Sequence, residues 1–165
     1  MMTPSVMPAL LYYEDIVPLI PAMTSDSTPS GIASASSIST FEPGALAWKP
    51  FDQNGKDYWA SEDTSTQNEW LQYAFPFRMR VNRMSVAQIG LQALITQYVT
   101  VHFQCSNDDS LLTWTTIQSI TTGIDSTIMD WDISFPFIDA KYWRWYNVTG
   151  NGSMNVLGAQ LYGYK

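Results

Sequence analysis

Strict alternation of apolar and polar residues in short stretches is the feature that most restricts the fold of this chain. In residues 98–105, YVTVHFQC, every second residue from Val99 to Cys105 is apolar, and the residues between them are polar. A period of two residues is typical of a β-strand that buries one face. Similar stretches, separated by turn-forming clusters such as DQNGKD and SNDDS, are WLQYAF, YWRWYNV and NVLGAQLYGY. We therefore predict an all-β sandwich or barrel.

The first 24 residues differ in composition from the rest of the chain, being apolar and rich in proline. Proline blocks helices and central strands, so we predict an extended arm over residues 1–24 and one domain over residues 25–165. The arm packs on its own domain in one interpretation and docks onto a neighbouring subunit in the other. The apolar residues expected to make that docking contact are Leu10, Leu11, Tyr12, Tyr13, Ile16, Val17 and Ile20.

Charge and cysteine content restrict the partners and the compartment. The formal net charge is -7 with eight Lys and Arg in total. Binding to phosphates needs clustered basic residues, so nucleic acid is not an expected partner. No apolar run approaches the length that spans a membrane, so membrane insertion is not expected either. The single cysteine, Cys105, cannot form an intrachain disulfide, which is typical of a protein assembled in a reducing cytoplasm.

Residues suited to catalysis are sparse. The only histidine, His102, lies in the middle of a predicted strand, where a structural role is expected rather than that of a base. The carboxylate pairs Asp108–Asp109 and Glu62–Asp63 fall in turns, whose backbone geometry favours such residues. One histidine and one cysteine cannot build a His–Cys metal site. We therefore predict that the chain is not an enzyme.

Six motifs in a fixed order make the chain resemble the discoidin-like family, also called coagulation-factor C-type or galactose-binding-like domains. They span about residues 25–165 and are PSGIASASS, LAWKPFDQNGKDYWAS, EWLQYAFPFRMRVNRMSV, VHFQCSNDDSLLTWTTI, KYWRWYNV and NVLGAQLYGY. The resemblance implies an antiparallel jelly-roll β-sandwich, which here carries the extended N-terminal arm. Such a domain is a rigid scaffold whose loops at one end carry recognition.

The phrase MTSDSTPSGIASASS is similar to the start of such domains in tailed-phage tail and fibre proteins. It implies a non-enzymatic virion protein of the tail, collar or capsid surface, assembled in the host cytoplasm. Its expected partners are other virion proteins and copies of itself, with a host surface glycan as a further ligand. The alternative is a carbohydrate-binding module or adhesin that recognises bacterial surface sugars.

Candidate ligand contacts follow from the way such folds bind sugars. An aromatic ring covers the apolar side of a sugar, and nearby polar groups bind its hydroxyls. The aromatic and polar residues that the sequence places in loops or turns, and that we expect to contact a ligand, are Tyr58, Asn107, Asp108, Trp131 and Asn151.

A structural calcium ion is the cofactor that the resemblance raises, since many relatives hold one in the loop after the phenylalanine–aspartate motif. Asp52, Asn54 and Asp57 offer hard oxygen ligands there. The family's late glutamate ligand falls on Gly158, however, and Lys56 adds a positive charge to the loop. The alternative is a turn without metal, in which the aspartate accepts backbone N–H groups, and the sequence leaves both open.

Overall fold

The computed structural model describes residues 15–62, 68–91, 99–122, 129–149 and 154–164, and almost all of its regular structure is β-strand. Every strand pairing in these ranges is antiparallel. A short 3-10 turn covers Lys49–Phe51. The strands are β1 Val17–Pro18, β2 Ile32–Ala35, β3 Trp59–Ala60, β4 Trp70–Leu91, β5 Val99–Ser106, β6 Thr115–Thr122, β7 Met129–Thr149 and β8 Met154–Gly163.

Two long strands, β4 with 22 residues and β7 with 21 residues, connect the two layers of the fold. Residues 71–74 of β4 pair with β2, and residues 70–74 pair with residues 142–146 of β7, which in turn pair with β5. Residues 81–91 of β4 pair instead with β8, and residues 79–89 pair with residues 129–140 of β7. Each long strand thus runs through both layers. The result is the predicted β-sandwich.

Proline marks the places where the long strands change register. The pairing of β4 with β7 shifts between Ala74 and Met79, and Pro76 lies in that gap. A second shift falls opposite Pro136 of β7, between the partners Ile138 and Ser134. Proline has no N–H to donate to a ladder, so it is tolerated where pairing is already irregular.

The core lies between the layers and is dominated by aromatic rings. Trp143 and Trp145 share one face of β7, and both are fully buried. Phe103 meets Trp145 edge-on at 6.4 Å between ring centroids, and Phe51 contacts Tyr73 at 5.4 Å. Cys105 is buried among them, as predicted, and that burial raises the pKa of its thiol. Among the described residues no helix is long and apolar enough to cross a membrane.

The described part of the N-terminal segment packs on this domain. Val17 and Pro18 pair with β8, and Leu19, Ile20 and Met23 are buried in the core. Ile20 therefore packs against its own chain and is not free to dock onto another subunit. Ile16 is 47% exposed, and the other predicted docking residues, Leu10, Leu11, Tyr12 and Tyr13, lie outside the described residues.

Two glutamines explain how this segment can be buried. Gln160 accepts a hydrogen bond from the Ile20 N–H at 2.9 Å and donates one to the Ile20 carbonyl at 3.0 Å. Gln53 donates to the same carbonyl at 2.9 Å. Because both backbone groups of Ile20 are satisfied, the segment can lie against β8 without a desolvation penalty.

Replacing Ile20 with alanine should therefore destabilise the domain. Removing a buried isoleucine side chain of this kind costs about 2–5 kcal/mol. Ile16→Ala is the matched control, because Ile16 is exposed and its truncation should change the free energy of unfolding by less than about 0.5 kcal/mol. Chemical denaturation of both variants measures the difference. Equal stability of Ile20→Ala and the unaltered chain would contradict this placement of the segment.

Candidate functional site

The structure distributes the predicted ligand contacts over separate places. Asn107 and Asp108 lie in the turn between β5 and β6, Trp131 lies on β7, and Tyr58 precedes β3. Asn151 lies outside the described residues. Trp131 and Tyr58 line two different clefts, and Asn107 and Asp108 line neither of these.

The turn that follows β5 uses its polar side chains internally. Asp108 accepts hydrogen bonds from the backbone N–H groups of Ser110 at 2.9 Å and Thr113 at 3.0 Å, and from both of their hydroxyls. These bonds, chiefly those from Ser110, hold the pKa of Asp108 far below its usual range. Asn107 donates to the Asp139 carbonyl and accepts from the Lys141 N–H. Both side chains thus hold the turn, which accounts for their presence without a ligand.

This network makes a prediction about pH. A carboxylate whose pKa is lowered by folding stabilises the domain above the usual aspartate pKa, and the contribution disappears as the pH falls towards the folded value. Asp108→Asn should therefore lower the midpoint of thermal unfolding at neutral pH, with a difference from the unaltered chain that shrinks in acid. Asp15→Asn, at an exposed position, is the control. A difference that stays constant between neutral and acid pH would contradict the role of the carboxylate.

Trp131 borders a groove of about 480 Å³ that β4, β7 and β8 line together with Pro18 and Pro50. Its indole contacts Phe103 of the core edge-on at 5.9 Å. Arg83 forms an ion pair with Asp132 at 2.8 Å and lies over the ring of Tyr162 at 4.1 Å. Asp132, the charged residue among those that line the groove, is therefore neutralised by a neighbour on β4.

Tyr58 lies in a smaller cleft of about 250 Å³, which the loop before the 3-10 turn forms together with the residues before β3. Its hydroxyl donates a hydrogen bond to the carboxylate of Glu42, and this bond raises the pKa of Tyr58. Lys49 and Asp57 form an ion pair in the same cleft at 2.7 Å. Phe41, directly before Glu42 in the chain, is 79% exposed.

Buried neighbours hold the cleft in place. Trp59, next to Tyr58, is fully buried, and its indole N–H donates to the Ser37 carbonyl at 2.9 Å. Phe51, at the end of the 3-10 turn, is also fully buried. Lys49, Asp57 and Tyr58 are thus each one or two positions from one of these core anchors. The cleft combines a carboxylate, a phenol and an ion pair, and Phe41 is the chain neighbour of the carboxylate residue. Groups of these kinds bind polar ring-shaped ligands.

Sequence reasoning found Tyr58 and missed Glu42, Lys49 and Phe41. Glu42 and Tyr58 are 16 residues apart and belong to no common periodic pattern. A large exposed aromatic residue beside a carboxylate, as in FEPG at residues 41–44, is the one local signal that would have pointed to this loop.

The three predicted calcium ligands lie together in one turn, where they form hydrogen bonds with one another. Asp52 accepts from the Asn54 N–H at 2.9 Å and from its side-chain amide at 2.7 Å. The side-chain oxygen of Asn54 accepts from the N–H groups of Lys56 and Asp57. No group of three or more His, Cys, Asp or Glu side chains in the described ranges could hold a metal ion. The two carboxylates and one amide of this turn supply fewer side-chain oxygens than the six to eight ligands that calcium takes at about 2.3–2.6 Å, and several of these oxygens already accept hydrogen bonds.

Comparison with known proteins places the fold among carbohydrate-binding modules. Chitosan-binding module 1 of a chitosanase/glucanase from Paenibacillus sp. IK-5 is 28% identical, with a TM-score of 0.65 over 81% of this chain and 96% of that module. Module 2 of the same enzyme, solved with chitotriose, is 26% identical, with a TM-score of 0.65 over 81% and 97%. The family 32 module of C. perfringens NanJ, solved with galactose, is 16% identical, with a TM-score of 0.63 over 81% and 93%.

These similarities confirm the predicted discoidin-like β-sandwich, the fold of family 32 carbohydrate-binding modules. No family model and no curated protein matches the chain. The neighbours favour the carbohydrate-binding alternative over the virion protein that we expected first, because none of the neighbours named here is a phage protein.

Proposed function

We propose that this chain is a non-catalytic carbohydrate-binding module that recognises oligomers of amino sugars, such as glucosamine, through the cleft between Glu42 and Tyr58. The observation that carries the proposal is the similarity to two chitosan-binding modules, at 28% and 26% identity over nearly their whole length. Charge supports it independently. A chain with a net charge of -7 attracts a cationic polymer and repels an acidic one.

Glu42 is the residue suited to an ammonium group. It is exposed, and the Tyr58 hydroxyl donates to its carboxylate and restricts its orientation. A hydrogen bond between an ammonium group and a carboxylate is about twice as strong as one between neutral groups. The positive charge of Lys49 does not oppose this, because its ammonium is 2.7 Å from the Asp57 carboxylate.

Phe41 supplies the apolar contact that a sugar ring needs. A pyranose presents C–H groups on one face, and an exposed aromatic ring covers such a face with little loss of side-chain entropy. Phe41 is 79% exposed, more than any other aromatic side chain among the exposed large hydrophobic residues that the structure describes. Phe41 directly precedes Glu42 in the chain and both side chains are exposed, so both are available to a ligand.

The test is calorimetric titration with a soluble glucosamine oligomer and with its N-acetylated counterpart. The unaltered chain should bind the glucosamine oligomer better, with an affinity that falls as salt is added. Glu42→Gln should weaken binding about ten-fold, since each 1.4 kcal/mol of lost charge-assisted bonding is a factor of ten. Phe41→Ala should weaken binding to both oligomers.

Asp132→Asn is the matched control, because it removes the same charge from the groove on the other strands and should leave binding unchanged. Equal affinity of Glu42→Gln and the unaltered chain, or no preference for the oligomer with free amino groups, would overturn the assignment of the cleft.

The virion role stays a prediction that rests on the phrase at residues 23–37 and on the apolar segment at residues 1–24. Docking to other virion proteins, self-association and assembly in a host cytoplasm belong to the same prediction. The burial of Ile20 in its own domain removes one of its supports.

A further inference from the structure

We infer that the ammonium group of Lys49 occupies the role of the structural cation in the loop after the phenylalanine–aspartate motif, so that this domain folds and keeps its cleft without calcium. The inference concerns how the loop is held and does not depend on which sugar the cleft binds.

The backbone of the turn is shaped by its own side chains. Gln53 and Gly55 both adopt positive φ angles, 61° and 65°, so the chain reverses sharply twice within three residues. Asp52 fixes the first reversal through the Asn54 N–H, and Asn54 fixes the second through the N–H groups of Lys56 and Asp57. Side-chain oxygens of Asp and Asn stabilise turns in this way without a metal. Both carboxylate oxygens of Asp52 and the side-chain oxygen of Asn54 thus already accept hydrogen bonds within the turn.

Lys49 supplies the remaining positive charge. The 3-10 turn begins at Lys49, and its ammonium reaches the Asp57 carboxylate at 2.7 Å. The same carboxylate oxygen accepts from the Asn54 side-chain amide at 3.1 Å. The Lys49 side chain is only 21% exposed, and its ammonium also lies 4.3 Å from the centre of the Trp48 ring. It is therefore held in one place by the carboxylate and the ring, unlike a mobile surface lysine.

A calcium ion and this ammonium group exclude each other. Calcium bound to the Asp57 carboxylate, at a distance of about 2.3–2.6 Å, would lie within a few ångströms of a fixed positive charge. One ion pair already neutralises Asp57. The glycine at position 158, where the resemblance places the late acidic ligand, supplies no oxygen from a side chain.

The turn held in this way supports both the cleft and the N-terminal segment. Lys49 and Asp57 line the cleft beside Tyr58, so the ion pair forms one wall of it. Gln53, within the turn, donates to the Ile20 carbonyl, and the Phe51 carbonyl accepts from the Met23 N–H at 3.0 Å. Loss of the Lys49 charge should therefore loosen the turn together with the segment packed on it.

The experiment measures thermal unfolding of the whole chain in excess calcium chloride and in EDTA. The unaltered protein should unfold at the same temperature in both, and calorimetric titration with calcium chloride should give no heat of binding. Lys49→Gln should lower the midpoint by about 2–4 °C in EDTA, the shift expected for a modest loss in a domain of this size. Lys56→Gln, which removes a charge of the same sign from an exposed position in the same turn, should leave the midpoint unchanged.

A rise of the unaltered chain's midpoint with calcium, or stoichiometric calcium binding in the titration, would overturn the inference. Equal midpoints for Lys49→Gln and Lys56→Gln would overturn it as well. If Lys49→Gln fails to fold, the calcium titration of the unaltered chain still decides the question. None of these measurements involves a sugar, so failure of the proposed glycan specificity would leave their outcome unchanged.

Discussion

The pairing of β4 with β7 is the interaction on which the rest of the molecule depends. It runs from Trp70 opposite Tyr146 to Ile89 opposite Met129, and the two strands cross from one layer to the other together. Because the same two strands belong to both layers, the layers cannot separate without breaking this ladder. The buried rings of Trp143, Trp145 and Tyr73 all project from it into the core. The loops, the cleft and the N-terminal segment all pack on the frame that these two strands form.

The cleft shows how such a frame presents polar chemistry at its edge. Fully buried residues, Phe51 and Trp59, alternate along the chain with the half-buried or exposed groups Lys49, Asp57 and Tyr58. Each anchor is immobilised by packing, and each polar group is then oriented by a neighbour's hydrogen bond. The site is thus organised before any ligand arrives, which lowers the entropy that binding costs.

Short sequence patterns predicted the parts of the fold that depend on interactions between residues close together in the chain. The alternation in residues 99–105 identified β5 and its buried face, which carries Val101, Phe103 and Cys105. The burial of Ile20 was not predictable in this way, because the partner that satisfies its backbone, Gln160, lies 140 residues away. The same holds for the hydrogen bond between Glu42 and Tyr58, and for the length of β4, in which Pro76 interrupts the pairing but not the strand. Composition alone suggests an arm or a loop for these segments, whereas hydrogen bonds to residues distant in the chain determine where they lie in the fold.

The pairing of Val17 with Gly163 has a consequence for the connectivity of the chain. Residues near the two ends of the described sequence are direct neighbours in one sheet, so a short linker could join them at a small cost in loop-closure entropy. The order of the strands along the polypeptide could then be changed while their arrangement in the sheet stays the same. A circularly permuted chain, opened at an exposed loop such as that around Ser110, would retain the same ladder and the same core.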